Sequence, residues 1–329
     1  MYFIFALVAL LAWSGSDFFS KKGTDEKDPN SHWKVTFAVG LIMGIHFVLT
    51  LIGGAIIDAN GGPDAVPKFV ASLFYTDFKL IDFIYYLPVA GLYIFAMVLG
   101  YIGLRYIELS ISSPICNCSG SLALLLCALI FPLIGADPIE FNAFTIIGVL
   151  AITLGIVGIG IVDSKENVEL KELRRKESNR KYTKSFLALA LPVAYLIIDA
   201  LGTVGDEVYF HILGDAASDY AANSSFELTF FLLAIFSFVW IKFVKKDMLF
   251  AKRGRAVYLG GACETLGQIF YMAVMFADYE IGMPIISSYC VVSLLWSRIF
   301  LKEKLSIKHY LVIALTFVGI VLLGIFSPV

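Results

Sequence analysis

The stretches "AWSGSD" at residues 12–17 and "AYLIID" at residues 194–199 each close an apolar run with an aspartate. In both stretches the aspartate follows an aromatic residue by four positions, Trp13 before Asp17 and Tyr195 before Asp199. A carboxylate is costly to bury in an apolar run, so coincidence is a poor explanation for finding the same pattern twice. The pair therefore indicates a duplicated unit within the chain.

The composition indicates that lipid is the solvent of this chain. Its 329 residues are 59% hydrophobic and only 16% charged, and the mean hydropathy is +0.83. A soluble domain carries closer to about 25% charged residues. The formal net charge of −2 argues against nucleic acid as a partner.

Ten apolar runs are long enough to cross a bilayer, which requires about 20 helical residues. Backbone groups in lipid must find their hydrogen bonds within the segment, so we predict an all-α polytopic membrane protein. The first run lacks the basic start and the cleavage pattern of a signal peptide, which favours a span. The predicted transmembrane helices are residues 2–20, 34–57, 82–106, 110–133, 141–162, 185–209, 225–244, 255–277, 281–301 and 306–327.

Basic residues predict the orientation. Lys and Arg concentrate in the connections after the odd-numbered spans, whereas the opposite connections hold only Lys68 and Lys79. The positive-inside rule then places both termini outside and the odd-numbered connections in the cytoplasm. We predict an integral protein of the cell membrane.

The charged segment 163–184 divides the chain into two halves of five spans each. Because five is odd, two such copies must be inverted relative to each other. The predicted domains are a first five-helix repeat over residues 1–162, a charged cytoplasmic linker over 163–184, and a second five-helix repeat over 185–329.

Two further matches occur in the order that a repeat requires. "GYIGLRYIELSISSPI" at residues 100–115 matches "FYMAVMFADYEIGMPI" at residues 270–285. "TLGIVGIGI" at residues 153–161 then matches "FVGIVLLGI" at residues 317–325. Apolar helices resemble one another by composition, so the shared order carries more weight than any single match.

The first span, ending "LLAWSGSDFFSKKG" at residues 10–23, and the tail "VVSLLWSRIFLKEKLSIKHYLVIALTFVGIVLLGIF" at residues 291–326 resemble the EamA type of the drug/metabolite transporter superfamily. This resemblance implies two inverted five-helix units around a central cavity that opens alternately to each side, and it leaves the substrate undefined. The chain departs from the family pattern in having Lys302 where the family usually has Gly before Glu303. It also lacks the equivalent Glu in "FPLIGADPIEF" at residues 131–141.

Ionisable residues inside spans are candidates for function, because their burial in lipid costs at least roughly 2.5 kcal/mol. Glu264 lies near the middle of span eight, and Gln268 and Tyr271 follow on the same helical face. We predict that this face binds substrate and that Glu264 also acts in coupling. The alternative is a structural glutamate bonded to a neighbouring helix.

Four polar or aromatic residues in other spans complete the candidate substrate site. His46 lies midway along span two and is either a histidine bonded across helices or, if it faces Glu264, a partner that shares its proton. Asn117 is the best candidate for substrate contact in span four. Trp13 and Tyr195 lie one turn deeper than the two repeated aspartates.

Asp17 and Asp199 themselves are predicted as a symmetric pair of gate acids near opposite faces of the membrane. For Asp17, a plain interfacial salt bridge with Lys21, one turn away, is an equal alternative.

No Lys or Arg lies near the middle of a predicted span, which disfavours a dianionic substrate. We therefore expect a secondary active transporter for a small neutral, zwitterionic or cationic metabolite, such as an amino acid, amine or nucleoside. Its expected partners are this substrate and the lipid bilayer, with protons as a candidate coupling ion and a homodimer as a candidate assembly.

The sequence predicts no cofactor, no metal site and no catalytic residue. The five cysteines all fall in predicted spans and have no second ligand pair, which favours a packing role. Two alternatives remain: an intramembrane enzyme that uses the buried acids, although no catalytic motif is present, and a non-transporting sensor or assembly protein.

Overall fold

The computed structural model describes residues 2–25, 27–136, 142–165, 186–214, 218–249, 254–275, 285–286 and 288–326. This part of the chain is helical and contains no strand. The linker prediction for residues 163–184 falls almost entirely outside the described residues. The helices are α1 (Tyr2–Gly23), α2 (Ser31–Ala59), α3 (Lys68–Phe74), α4 (Leu80–Gly103), α5 (Leu109–Cys116), α6 (Ser119–Ile134), α7 (Ala143–Lys165), α8 (Phe186–Leu213), α9 (Asp219–Val239), α10 (Gly254–Met275), α11 (Tyr289–Trp296) and α12 (Ile307–Phe326).

Six helical segments of the described chain are long and apolar enough to cross a membrane. They are α1, α2, α4, the α5–α6 pair, α8 and α9 with the π-helical turn that continues it to Val244. Three shorter apolar helices lie in α7, α11 and α12. Each of the ten predicted spans contains helical residues in the part of the chain that the structure describes, yet ten crossings stay a prediction. These features support an integral membrane protein.

The helices pack in a regular set of pairs. Helix α1 lies along α10, α4 along α8, α2 along α9, and α7 along α12. Helix α2 also contacts α10, and α4 contacts α9. Finally, α11 contacts α1, while α5 and α6 contact α8. Helix α1 and the α5–α6 pair therefore contact helices from the other half of the chain.

Two buried charges hold the elbow between α4 and α5. The ammonium of Lys21 donates to the carbonyl of Leu104, at 2.5 Å, and to that of Ile107. The carboxylate of Glu303 accepts from the backbone N–H groups of Leu109, at 3.2 Å, and Ser110, at 3.0 Å. A cation therefore meets the carbonyl end of α4 and an anion meets the N–H end of α5, as the helix dipoles favour.

Lys302, which stands where the family pattern usually has glycine, has a backbone conformation that favours glycine. Lys302 has φ +56° and ψ +32°, in the left-handed region where glycine is favoured over other residues. It ends the π-helical turn Ser297–Leu301 that continues α11. The reversal of the chain at this residue brings the Glu303 carboxylate back to the first turn of α5.

A charged contact outside the apolar core joins two connections at one end of the bundle. Lys34, at the start of α2, forms ion pairs of 2.8 Å with Asp28 and with Asp247. Asn30 donates to the same Asp247 carboxylate at 3.1 Å. The hydrogen bond from Lys34 holds the pKa of Asp247 below its ordinary value. This contact ties the α1–α2 connection to the segment that follows α9.

We predict that Lys302→Gly raises the free energy of unfolding in detergent by about 1 kcal/mol. Glycine adopts the left-handed backbone conformation without the steric cost that a side chain imposes there. The matched control is Lys304→Gly, two residues later and without positive φ. A thermal-unfolding comparison should show an increase for Lys302→Gly alone; a decrease in both variants would contradict the backbone argument.

Candidate functional site

The contact between α1 and α10 brings Asp17 and Glu264 together. The hydroxyl of Ser16 hydrogen-bonds the Glu264 carboxylate, and Asp17 lies within electrostatic range of that carboxylate. Ser16 is buried and Glu264 is half-buried. Two acids predicted separately from the sequence thus belong to one cluster.

Serines from two other helices hold Asp17. Ser113 of α5 donates to its Oδ2 atom at 2.5 Å, and Ser293 of α11 donates to the same atom at 2.8 Å. The alternative salt bridge with Lys21 is wrong, because that ammonium turns to the elbow carbonyls instead. These two hydroxyl groups supply hydrogen bonds to Asp17 but no opposite charge.

The second aspartate of the repeated pattern has a related environment. Asp199 of α8 is hydrogen-bonded by Ser119 of α6. Two turns further along α8, Asp206 accepts a hydrogen bond of 2.7 Å from the hydroxyl of Tyr86 on α4. Asp206 was not among the predicted site residues, although an acid inside a predicted span was the available signal.

Aromatic rings surround the acids. The Trp13 indole lies 5.2 Å from the Tyr271 ring and 5.9 Å from the Tyr289 ring, centroid to centroid. Asn117 hydrogen-bonds the Tyr289 side chain. Tyr195 lies within electrostatic range of both Asp199 and Glu264. The structure therefore places Trp13, Asn117 and Tyr195 near these acids, and Tyr271 within electrostatic range of Asp206 and Asp199. Their role in substrate binding stays a prediction.

Two buried donors near the acids have no hydrogen-bond partner among the described residues. They are Nε1 of Trp13 and the hydroxyl of Tyr101. Tyr101 lies within electrostatic range of Glu264 and Asp17. Buried donors normally find partners, so these two groups are candidates for contact with a polar ligand.

Gln268 and His46 belong to a different cluster. Gln268 donates to Asn223 at 3.0 Å, and Asn223 donates to Oε1 of Glu227 at 3.3 Å. The Nδ1 atom of His46 lies 2.7 Å from the same Oε1 atom. The predicted proton sharing between His46 and Glu264 is therefore wrong, because both ring nitrogens are engaged elsewhere, Nε2 with the carbonyl of Leu73.

Glu227 is, after Asp206, a second acid that the sequence reasoning missed. It is fully buried in α9. The predicted span began at residue 225 and so placed this glutamate at a membrane surface, whereas α9 begins at Asp219. Among the described residues, no group of three or more His, Cys, Asp or Glu side chains could hold a metal ion.

Comparison with known proteins bears on the second half of the chain. Residues 213–325 match the EamA-like transporter family. This stretch is roughly a third of the chain and contains Glu227, Glu264 and Glu303. The resemblance predicted from the sequence is confirmed, and the EamA match indicates a membrane transporter of the drug/metabolite transporter superfamily. Members of the EamA family are transporters rather than enzymes.

A solved crystal structure of a protein is similar over almost the whole length. It covers 98% of this chain and 95% of its own, with a TM-score of 0.53 and 13% sequence identity. At this identity the likeness concerns the fold alone. No curated protein matches the chain.

We predict that Gly267→Ala displaces Trp13. A methyl group at residue 267 would lie 2.3 Å from Cδ1 of the indole, closer than packed carbon atoms approach. Overpacking of this kind costs about 1–3 kcal/mol, so the thermal stability should fall. The intrinsic tryptophan fluorescence should also change.

The control for this variant is Gly91→Ala in α4, where an added methyl group meets nothing within 4 Å. It should keep the fluorescence and keep or raise the stability, since alanine favours helix. Unchanged fluorescence and stability in Gly267→Ala would contradict the Trp13 placement.

Proposed function

We propose that the chain is a secondary active transporter that moves a small cationic, zwitterionic or neutral metabolite by alternating access. The family match supports transport as the class of function. The observation that carries the finer proposal is the cluster of Asp17 and Glu264 with Trp13, Tyr271 and Tyr289 around it. The proposed route passes this cluster, between two inverted five-helix units.

The pairing of helices supports the inverted arrangement. In such a repeat the first unit is α1, α2, α4, α5–α6 and α7, and the second is α8, α9, α10, α11 and α12. Exchanging the units converts the α1–α10 contact into α8–α4, and α2–α10 into α9–α4, and all four contacts occur. The pairs α2–α9 and α7–α12 exchange into themselves, as pairs on a twofold axis must.

The hydrogen bonds of the two repeated aspartates follow the same exchange. Asp17 of the first unit accepts from Ser293 of the second, and Asp199 of the second unit is bonded by Ser119 of the first. Each acid thus links its own unit to the fourth span of the other. A rocking motion between the units would break and remake such bonds, which suits gate residues.

The charges around the cluster favour a substrate with a cationic or hydrogen-bonding group. Carboxylates attract an ammonium group, and the faces of Trp and Tyr rings attract cations as well. The one buried ammonium on α1, that of Lys21, is bonded to the elbow carbonyls. A dicarboxylate would meet repulsion here.

The proposal is tested by thermal-shift measurements on the purified protein with putrescine, alanine, adenosine, glucose and succinate. A bound ligand at about 100 times its dissociation constant stabilises by about 2.7 kcal/mol. We expect a raised unfolding midpoint with at least one of the first four compounds and no change with succinate. Proteoliposome uptake of the stabilising compound then tests transport, and a preference for succinate would contradict the proposed substrate class.

We predict that Glu264→Gln removes the ligand-induced stabilisation and abolishes uptake while the protein still folds, because the neutral amide keeps the shape of the side chain without its charge. The matched control is Glu207→Gln, which changes an exposed acid of α8 and should leave both readouts intact. Wild-type uptake in Glu264→Gln would contradict the role assigned to this carboxylate.

A further inference from the structure

The contact between His46 and Glu227 requires a shared proton. The carbonyl of Leu73 can only accept, so Nε2 of His46, at 3.1 Å from it, must carry a hydrogen. A neutral imidazole has one N–H, which leaves Nδ1 as an acceptor that faces a carboxylate oxygen at 2.7 Å. Two acceptors do not approach so closely, so one further proton lies between Nδ1 and Oε1.

The pair holds the same number of protons in either of its two forms, imidazolium with carboxylate or imidazole with carboxylic acid. While Nε2 keeps its hydrogen on the Leu73 carbonyl, loss of the proton between Nδ1 and Oε1 would place two lone pairs face to face and open the contact. The contact between α2 and α9 at this point therefore exists in a proton-loaded form and is broken in a proton-free form.

The groups around the pair are otherwise neutral. Asn223 comes from α9 itself and Gln268 from α10, and neither titrates. Helix α4 presents Tyr93 to Phe226, and the Tyr93 hydroxyl is bonded to Thr203. The Oε2 atom of Glu227 has no hydrogen-bond partner among the described residues. In this neutral environment the charge of Glu227 is balanced by His46, and the proton count of the pair sets its net charge.

We propose that Glu227 and His46 form a proton-binding site, separate from the Asp17 and Glu264 cluster, that fastens α2 to α9 when it is loaded. The inference rests on the proposed transport function, for which it supplies the coupling ion. Since α2 and α9 belong to different proposed units, the proton holds one unit to the other. The proton therefore binds at the interface between the two units and not at the substrate site.

Two hydrogen bonds join this pair to other helices. Gln268 links it to α10, one turn from Glu264 on the same helix. The bond to Leu73 links it to α3, whose Phe69 ring stacks on Phe5 of α1 at 4.7 Å. Release of the proton would open the contact between α2 and α9, to which both connections lead.

The test uses the purified full chain in lipid nanodiscs without any substrate, so its outcome is independent of the transport assays. Histidine nitrogen NMR from about pH 5 to about pH 9 follows protonation directly. The chain has four histidines, and His46→Gln identifies the signal of His46. We expect His46 to keep its hydrogen on Nε2 and to titrate in one step together with the Glu227 carboxyl carbon.

In Glu227→Gln, that step should disappear and His46 should titrate alone, whereas Glu207→Gln should leave it unchanged. Hydrogen exchange gives a second readout: protection of the α2 and α9 amides around His46 and Glu227 should fall about tenfold in the wild type across the step, as loss of one strong hydrogen bond implies. His46→Gln should remove this pH dependence. An identical His46 titration in wild type and Glu227→Gln, or amide protection at the α2–α9 contact that does not change across the step, would overturn the proposal.

Discussion

Everything in this molecule follows from the cost of placing carboxylates inside an apolar helical bundle. Asp17, Asp199, Glu227 and Glu303 each have a hydrogen-bond partner on another helix. An unsatisfied buried acid would cost more free energy than a marginally stable protein can spare. The acids therefore specify which helices must meet, and most of these bonds join the two halves of the chain.

Charge is used in two distinct ways along these helices. Lys21 and Glu303 meet helix ends, whose dipoles they complement, and so fix the α4–α5 elbow. Asp17 and Glu264 meet hydroxyl groups, which supply hydrogen bonds but no opposite charge. The first arrangement fixes a turn of the chain, and the second is the one on which the proposed substrate site rests. This distinction separates the elbow acid from the acids of the candidate site.

The sequence predicts the helices well and their interruptions poorly. Apolar runs locate the described helices except α3, which lies between two predicted spans, and the break at residues 117–118 between α5 and α6 lies inside one predicted span. The acids Asp17 and Glu264 were recognisable because apolar residues surround them. Glu227 was missed since the polar stretch "DYAANS" at residues 219–224 is typical of a loop, although it starts α9. His46 was recognisable, but its partner was not, because pairing depends on how helices rotate about their axes. The unusual Lys302 was visible, whereas its left-handed backbone was not.

The central claim is that two inverted units share the acidic cluster, with Asp17 and Asp199 toward opposite membrane faces. The most direct measurement is the labelling of Asp17→Cys and Asp199→Cys, each in a chain without its five native cysteines, by a membrane-impermeant maleimide added from one side at a time. The account predicts that the two positions react from opposite sides. Reaction of both positions from the same side, with the same preference, would contradict the inverted arrangement.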